Sequence, residues 1–150
     1  VLLFLLFRPD IAKLQKAANF NYLEAMYLAL TQQKAQMSVC DVVVLENEKE
    51  TKRFAVSEKH LTRTEALNLI LSRREINSGP YAKLYSRELL KGLKYPPLKA
   101  YEDMLFSLEA MDRCEHIAAT NDTQYDYIQN VGSVINTFCI ESLRKRSCDF

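Results

Sequence analysis

The sequence predicts an α/β chain, helix-rich, with a small mixed sheet. Asp41-Val42-Val43-Val44-Leu45 is short, β-branched and apolar on both faces, the pattern of a strand inside a covered sheet. Leu23, Met26, Tyr27 and Leu30 recur at helical spacing, and so do Met104, Leu105, Leu108 and Met111. Thr62-Arg63-Thr64-Glu65 has the spacing of a capping box, in which a hydroxyl and a carboxylate satisfy the free amides of a helix start. With 150 residues and 48% hydrophobic content, the chain can bury one core, and residues 1–150 are expected to form a single domain.

Taken in order, residues 1–7 form an apolar run halted by Arg8-Pro9-Asp10, far short of the roughly 20 residues that cross a bilayer. A buried strand or helix is expected there, and the abrupt hydrophobic start is that expected of a fragment or of an unusual gene product. Residues 11–18 could be helical, and Asn21 is placed to cap a clearer helix over 21–34. After the 41–45 strand, the charged stretch 47–53 is expected to be a solvated loop. The capping box precedes Ala66, Leu67, Ile70 and Leu71 and opens a helix over 63–73. Ser78-Gly79-Pro80 breaks the chain. Lys83-Leu84-Tyr85 is then a brief strand, or the start of a helix ended by Gly92. Residues 115–119 suit a strand, 120–122 a turn, and Tyr125 and Tyr127 alternate with polar residues as on a half-exposed strand. Gly132-Ser133 makes a turn and an N-cap for a last helix over 133–144, which ends in Arg144-Lys145-Arg146.

Charge and cysteines narrow the function classes. Twenty basic and nineteen acidic residues leave a formal charge of +1, so no global field draws nucleic acid, and any anion site must be local. The basic triplet at 144–146 suits a helix C-terminus; peripheral contact with an anionic membrane is the sharper alternative, on three charges only. Cys40, Cys114, Cys139 and Cys148 form no Cys-x-x-Cys pair and do not group with His60 or His116 at metal-ligand spacing. They read as reduced thiols, which points to a cytoplasmic setting.

The stretch with most chemical content runs from Tyr95 to Phe106. Pro96 and Pro97 fix φ and stop any helix from continuing through them. The next amphipathic helix therefore begins with Glu102 and Asp103. Carboxylates in a first turn complement the free amides and the positive end of the helix dipole, which contributes roughly 0.3–1 kcal/mol. A carboxylate held there beside an aromatic wall from Tyr101 could instead take the proton of a hydroxyl nucleophile.

The order of these blocks resembles the acceptor-binding C-terminal half of a family 2 glycosyltransferase. Asn77-Ser78-Gly79-Pro80 leading into Tyr81-Ala82-Lys83-Leu84-Tyr85-Ser86-Arg87-Glu88-Leu89, a proline-rich approach, Glu102-Asp103 opening a helix, Tyr125-Asp126-Tyr127 and Gly132-Ser133 keep to the family's sequence of motifs from about residue 41 to about 136. The resemblance implies part of the A-type glycosyltransferase fold, which is Rossmann-like. It also implies inverting transfer of a sugar from a nucleotide-sugar donor to a glycan or lipid-linked acceptor in polysaccharide biosynthesis. In that frame Asp103 occupies the base position and Glu102 orients it or contacts the acceptor. Lys83, Tyr85, Arg87, Tyr101 and Ser133 fall on the acceptor side, with bracing of the Glu102-Asp103 helix as the alternative for Lys83, Tyr85 and Arg87.

Two departures from the family pattern bear on chemistry. The family's Asp-x-Asp motif, which holds manganese or magnesium against the leaving diphosphate, should precede the 21–34 helix, yet that ground reads Leu14-Gln15-Lys16-Ala17-Ala18. Around the Tyr-x-Tyr strand, where arginines suited to a diphosphate are frequent, Ile128 and Asn130 stand instead. Two readings are open. The chain is the base-carrying half of a transferase whose nucleotide site comes from elsewhere, or it is a non-catalytic interaction or glycan-binding module on the same scaffold. Half of a larger layer would leave apolar faces uncovered, so self-association into a homo-oligomer is expected.

No metal site is expected in this chain. Manganese or magnesium should leave its melting temperature unchanged, measured by thermal shift with and without a nucleotide sugar. A chelator-reversible rise would show that residues 14–18 contribute to a metal site after all.

Overall fold

The computed structural model describes residues 21–98 and 101–129. The expectations for residues 1–7, 11–18, the Gly132-Ser133 turn, the 133–144 helix and its basic end lie outside the described residues.

Among these residues the elements run α1 (Tyr22–Gln32), β1 (Met37–Glu46), β2 (Lys49–Phe54), β3 (His60–Thr62), α2 (Arg63–Leu71), β4 (Lys83–Tyr85), α3 (Arg87–Leu90), α4 (Glu102–Asp112) and β5 (His116–Ile128). The mixed α/β class holds, and the 41–45 strand lies at the centre as the C-terminal half of β1. One edge of β1 pairs antiparallel with β4 (Met37 to Tyr85, Val39 to Lys83) and then with β2 (Val42 to Phe54, Glu46 to Lys49). The other edge pairs in parallel with β5, from Ser38 opposite Ala118 to Leu45 opposite Ile128. Beyond β5, β3 adds a short antiparallel edge.

The twofold alternation of side chains divides the core. Met37 and Val39 point to one face and meet Ile70 of α2, Tyr85, and Phe106 and Met111 of α4. Cys40 and Val42 point to the other and meet Tyr22, Met26 and Leu30 of α1. The inward Ser38 hydroxyl donates to the Met26 carbonyl at 2.9 Å, so a polar atom in the wall of β1 ties the sheet to α1. Cys40 and Cys114 are both free and buried.

Several local expectations are met and two are corrected. Thr62 Oγ1 accepts from the Glu65 amide at 3.3 Å while Glu65 Oε2 accepts from the Thr62 amide at 2.8 Å, which completes the capping box. Ser86 caps α3 by accepting from the Leu89 amide, and Gly92 comes soon after with φ 78°. Asn21 occupies the N-cap position of α1 but makes no side-chain capping bond.

The first correction concerns residues 47–53, which are no loop. They supply most of β2, an exposed strand that turns from β1 at Asn47 and Glu48, both at positive φ. The second concerns residues 120–122, where no turn separates two strands. β5 is continuous, and its register on β1 jumps from Cys40 opposite Thr120 to Asp41 opposite Gln124, leaving Asn121, Asp122 and Thr123 as a bulge.

Replacing Thr62 by alanine removes the hydroxyl half of the capping box. Stability should fall by roughly 0.5–2 kcal/mol, read from the urea midpoint with an unchanged slope. An unaltered midpoint would show that the cap contributes nothing to α2.

Candidate functional site

The parallel pair β1 and β5 ends on the same side of the sheet, and a cleft of about 440 Å³ opens there, lined by Val44 of β1 and Tyr127 of β5. Carboxyl ends of parallel strands are where α/β sheets take their ligands, because the connections diverge there and leave a crevice. Phe54 and Lys52 of β2 form one side. The segment before β4 supplies Asn77, Ser78, Gly79 and Tyr81, and the start of α4 supplies Tyr101 and Asp103. Arg73, just past α2, completes the rim.

Asp103 is half-buried in the first turn of α4, and its Oδ1 accepts from the Met104 amide at 2.7 Å. Among the described residues it enters no ion pair. The carboxylate thus faces the cleft with one oxygen engaged by its own helix. Tyr101, at the N-cap, has φ 62° and ψ 17°. A non-glycine residue in this left-handed region is unusual, and here it leaves the tyrosine 59% exposed beside Asp103.

A tyrosine stack supplies Tyr81 and Tyr127 to the lining. Tyr81 lies over Tyr127 with centroids 5.0 Å apart and planes at 11°, and over Tyr125 at 5.2 Å. Burial raises the phenol of Tyr81 well above its ordinary value, and Tyr127 and Asp103 push it the same way, so the ring enters the cleft as a neutral donor.

The remaining residues singled out in the sequence are placed apart from this cleft. Lys83 sits behind the wall, buried, with Nζ donating to the Asn77 carbonyl at 2.8 Å, the Asn77 side-chain oxygen at 3.3 Å and the Gly79 carbonyl at 2.5 Å. Tyr85 is 1% exposed and packs edge-on against Phe106 of α4, which is the bracing arrangement. Arg87 borders a separate cavity of about 580 Å³ between α3 and Tyr95, whose ring stacks on Phe106 at 4.4 Å. Glu102 is half-buried beside Asp103 without lining the cleft, and Ser133 lies outside the described residues.

Sequence reasoning missed Arg73 and Lys52, and it gave no site role to Asn77 and Tyr81, which belong to the stretch that resembles the family. Tyr81 comes directly after the Ser78-Gly79-Pro80 breaker and opens the block that continues through Lys83, Tyr85 and Arg87, and these are the signals the sequence carries for it. Among the described residues Asp103 is the only acid of the cleft, and Lys52 and Arg73 stand with it. No group of three His, Cys, Asp or Glu side chains converges among the described residues. That donor set does not fit manganese or magnesium, which take several oxygen ligands.

Gly79 is required by packing. A Cβ there would overlap the ring of Tyr81, whose own position is fixed by two stacked tyrosines. Gly79→Ala should therefore destabilise the protein by about 1–3 kcal/mol in chemical denaturation. A neutral result would mean that the stack can move aside.

No protein-family model and no curated protein matches the chain. Solved structures do. TarS 1–349 of S. aureus in complex with UDP-GlcNAc superposes with a TM-score of 0.63 at 19% identity, over 80% of this chain and 34% of that one. TarS 1–349 without ligand gives 0.59 at 20% identity over 74% and 32%, and its complex with UDP gives 0.58 at 21% identity over 75% and 33%. The chain thus spans about a third of the length of these structures. At this identity the likeness concerns the fold: the curled mixed sheet and its helices are part of a glycosyltransferase-like fold.

Proposed function

We propose that this chain is the acceptor-binding, base-carrying part of an inverting family 2 glycosyltransferase, one domain corresponding to the C-terminal half, with the nucleotide site completed by polypeptide beyond the described residues. The observation that carries this reading is the position of Asp103, at the head of α4 on a cleft at the carboxyl ends of β1 and β5 that Tyr81 and Tyr127 also line. The binding of UDP-GlcNAc and UDP by the TarS structures supports a nucleotide-sugar donor.

In the proposed reaction the Asp103 carboxylate accepts the proton of an acceptor hydroxyl. The oxygen attacks the anomeric carbon of the donor, and the bond to the nucleoside diphosphate breaks on the opposite face. That group leaves with the bonding electron pair, and the configuration inverts. Tyr101 and Tyr81 give the acceptor two ring faces and phenol donors. Arg73 and Lys52 are the cleft cations available to a departing anion; Lys83, engaged behind the wall, and Arg87, at the other cavity, are not. The acceptor is a glycan or a lipid-linked sugar, and the homo-oligomer and the cytoplasmic setting belong to the same proposal. No helix among the described residues is long and apolar enough to cross a membrane.

One observation favours the second reading, a non-catalytic glycan-binding module. The bond from the Met104 amide to Asp103 Oδ1 is what a purely structural carboxylate would make. Asp103→Asn decides between them, because asparagine keeps that acceptor and the fold while losing the base. In the full-length or partnered protein that transfers sugar, turnover should fall by roughly 10²–10⁴-fold, with Glu102→Gln close to wild type as the control. Wild-type turnover in the asparagine variant would end the catalytic reading.

A further inference from the structure

We propose that Lys83 is a positioning residue: its buried ammonium grips the 77–79 turn from behind and so sets the wall of the cleft, and loss of its proton slackens that wall. The proposal rests on the reading of the cleft as an acceptor site only for its consequence in binding; the grip itself is a matter of geometry.

An ammonium has three donors and no acceptor. Around Lys83 Nζ stand three oxygens, the Asn77 carbonyl, the Asn77 side-chain oxygen and the Gly79 carbonyl, at 2.8, 3.3 and 2.5 Å. Each proton has one oxygen, and residues 77 and 79 are held to one point. The neutral amine keeps two donors and turns a lone pair toward the third oxygen, which converts an attraction into a repulsion. Among the described residues no carboxylate pairs with Lys83, so these oxygens are what holds the charge.

The other side of the same turn is the cleft wall. Asn77, Ser78 and Gly79 line the cleft that Asp103 faces. Gly79 is in contact with the ring of Tyr81, which is stacked on Tyr125 and Tyr127. A shift of the turn therefore bears on Tyr81, whose ring is held against Tyr125 and Tyr127 and lines the cleft. Lys83 itself is anchored by β4, opposite Val39 in the most deeply buried part of β1, so the movable partner is the turn.

Burial lowers Lys83 from its ordinary value to about 7. The ionisable groups that bear on it are Asp103 of α4, whose carboxylate favours the ammonium, and Cys40 of β1, whose thiol burial pushes up to about 12 and so keeps neutral through this range. The slackening thus falls near neutral pH. The sign for stability comes from proton counting. Between about 7 and the ordinary value of 10.5 the unfolded chain holds a proton that the folded one lacks, so resistance to unfolding rises with pH in that window. Below it the cost of the buried charge is present in full.

The test is a ¹H–¹⁵N NMR titration of the protein from about pH 6 to about pH 9, with Lys83→Met beside the wild type. In the wild type the amides of Asn77, Ser78, Gly79 and Tyr81 should shift together with a midpoint near 7, while Val42 and Val43 stay still; in Lys83→Met the turn should be flat. Flat turn amides in the wild type would overturn the proposal. If the variant does not fold, a ¹⁵Nζ titration of wild-type Lys83 decides: a midpoint near 7 supports the proposal, and an ordinary lysine value overturns it. In the form that transfers sugar, the acceptor KM should rise through the same pH window with kcat changing less. A KM that stays level would overturn the consequence for binding. Absence of turnover at every pH would count against the transferase reading, and the turn titration would still decide the role of Lys83.

Discussion

The fold depends on the pairing of β1 along both edges. Residues 37–43 are buried, so their backbone amides and carbonyls cannot fall back on water. One edge is satisfied by β4 and then β2, the other by β5 along nearly its whole length. Each partner brings one component of the site with it. β5 carries Tyr125 and Tyr127, β2 carries Lys52 and Phe54, and β4 fixes Lys83 beneath the turn that leads into it. The cleft is therefore assembled by backbone pairing, and its side chains are placed by register.

Legibility in the sequence obeys the same physics. The 41–45 strand is visible because a strand covered on both faces must be apolar at every position. The start of α2 is visible because a capping box is a local device, complete within Thr62 and Glu65. β2 is not. An edge strand facing water carries charges at most positions, and the Asn47-Glu48 turn reaches positive φ without glycine, so the usual hairpin signal is missing. The bulge at 121–123 reads as a turn because its residues, Asn121, Asp122 and Thr123, have turn composition.

The site is legible in part for the same reason. Tyr101 and Asp103 share one short motif after two prolines, and they reach the cleft together. Arg73, Asn77 and Tyr81 arrive from separate segments, and no periodicity links them to Asp103. Lys83 stands out by residue type, but its burial cannot be read from a three-residue strand. A lysine between Ala82 and Leu84 looks like an outward cation until the partner strand is known.

The bulge in β5 has a consequence for how the protein tolerates change in chain length. It divides the strand into two lengths that answer to different constraints. Residues 116–118 pair with β3 and 118–120 with β1, so that Ala118 is held on both sides, whereas Gln124 to Ile128 run along β1 alone and carry the tyrosines of the stack. A one-residue insertion or deletion within either length would invert the faces of the strand residues beyond it, sending tyrosines away from Tyr81 or core alanines into solvent. The same change inside 121–123 falls where three residues already have no partner on β1, and it alters the size of the bulge while leaving both registers intact. The irregular stretch is thus the joint at which this sheet can accept a change of length without misplacing its site.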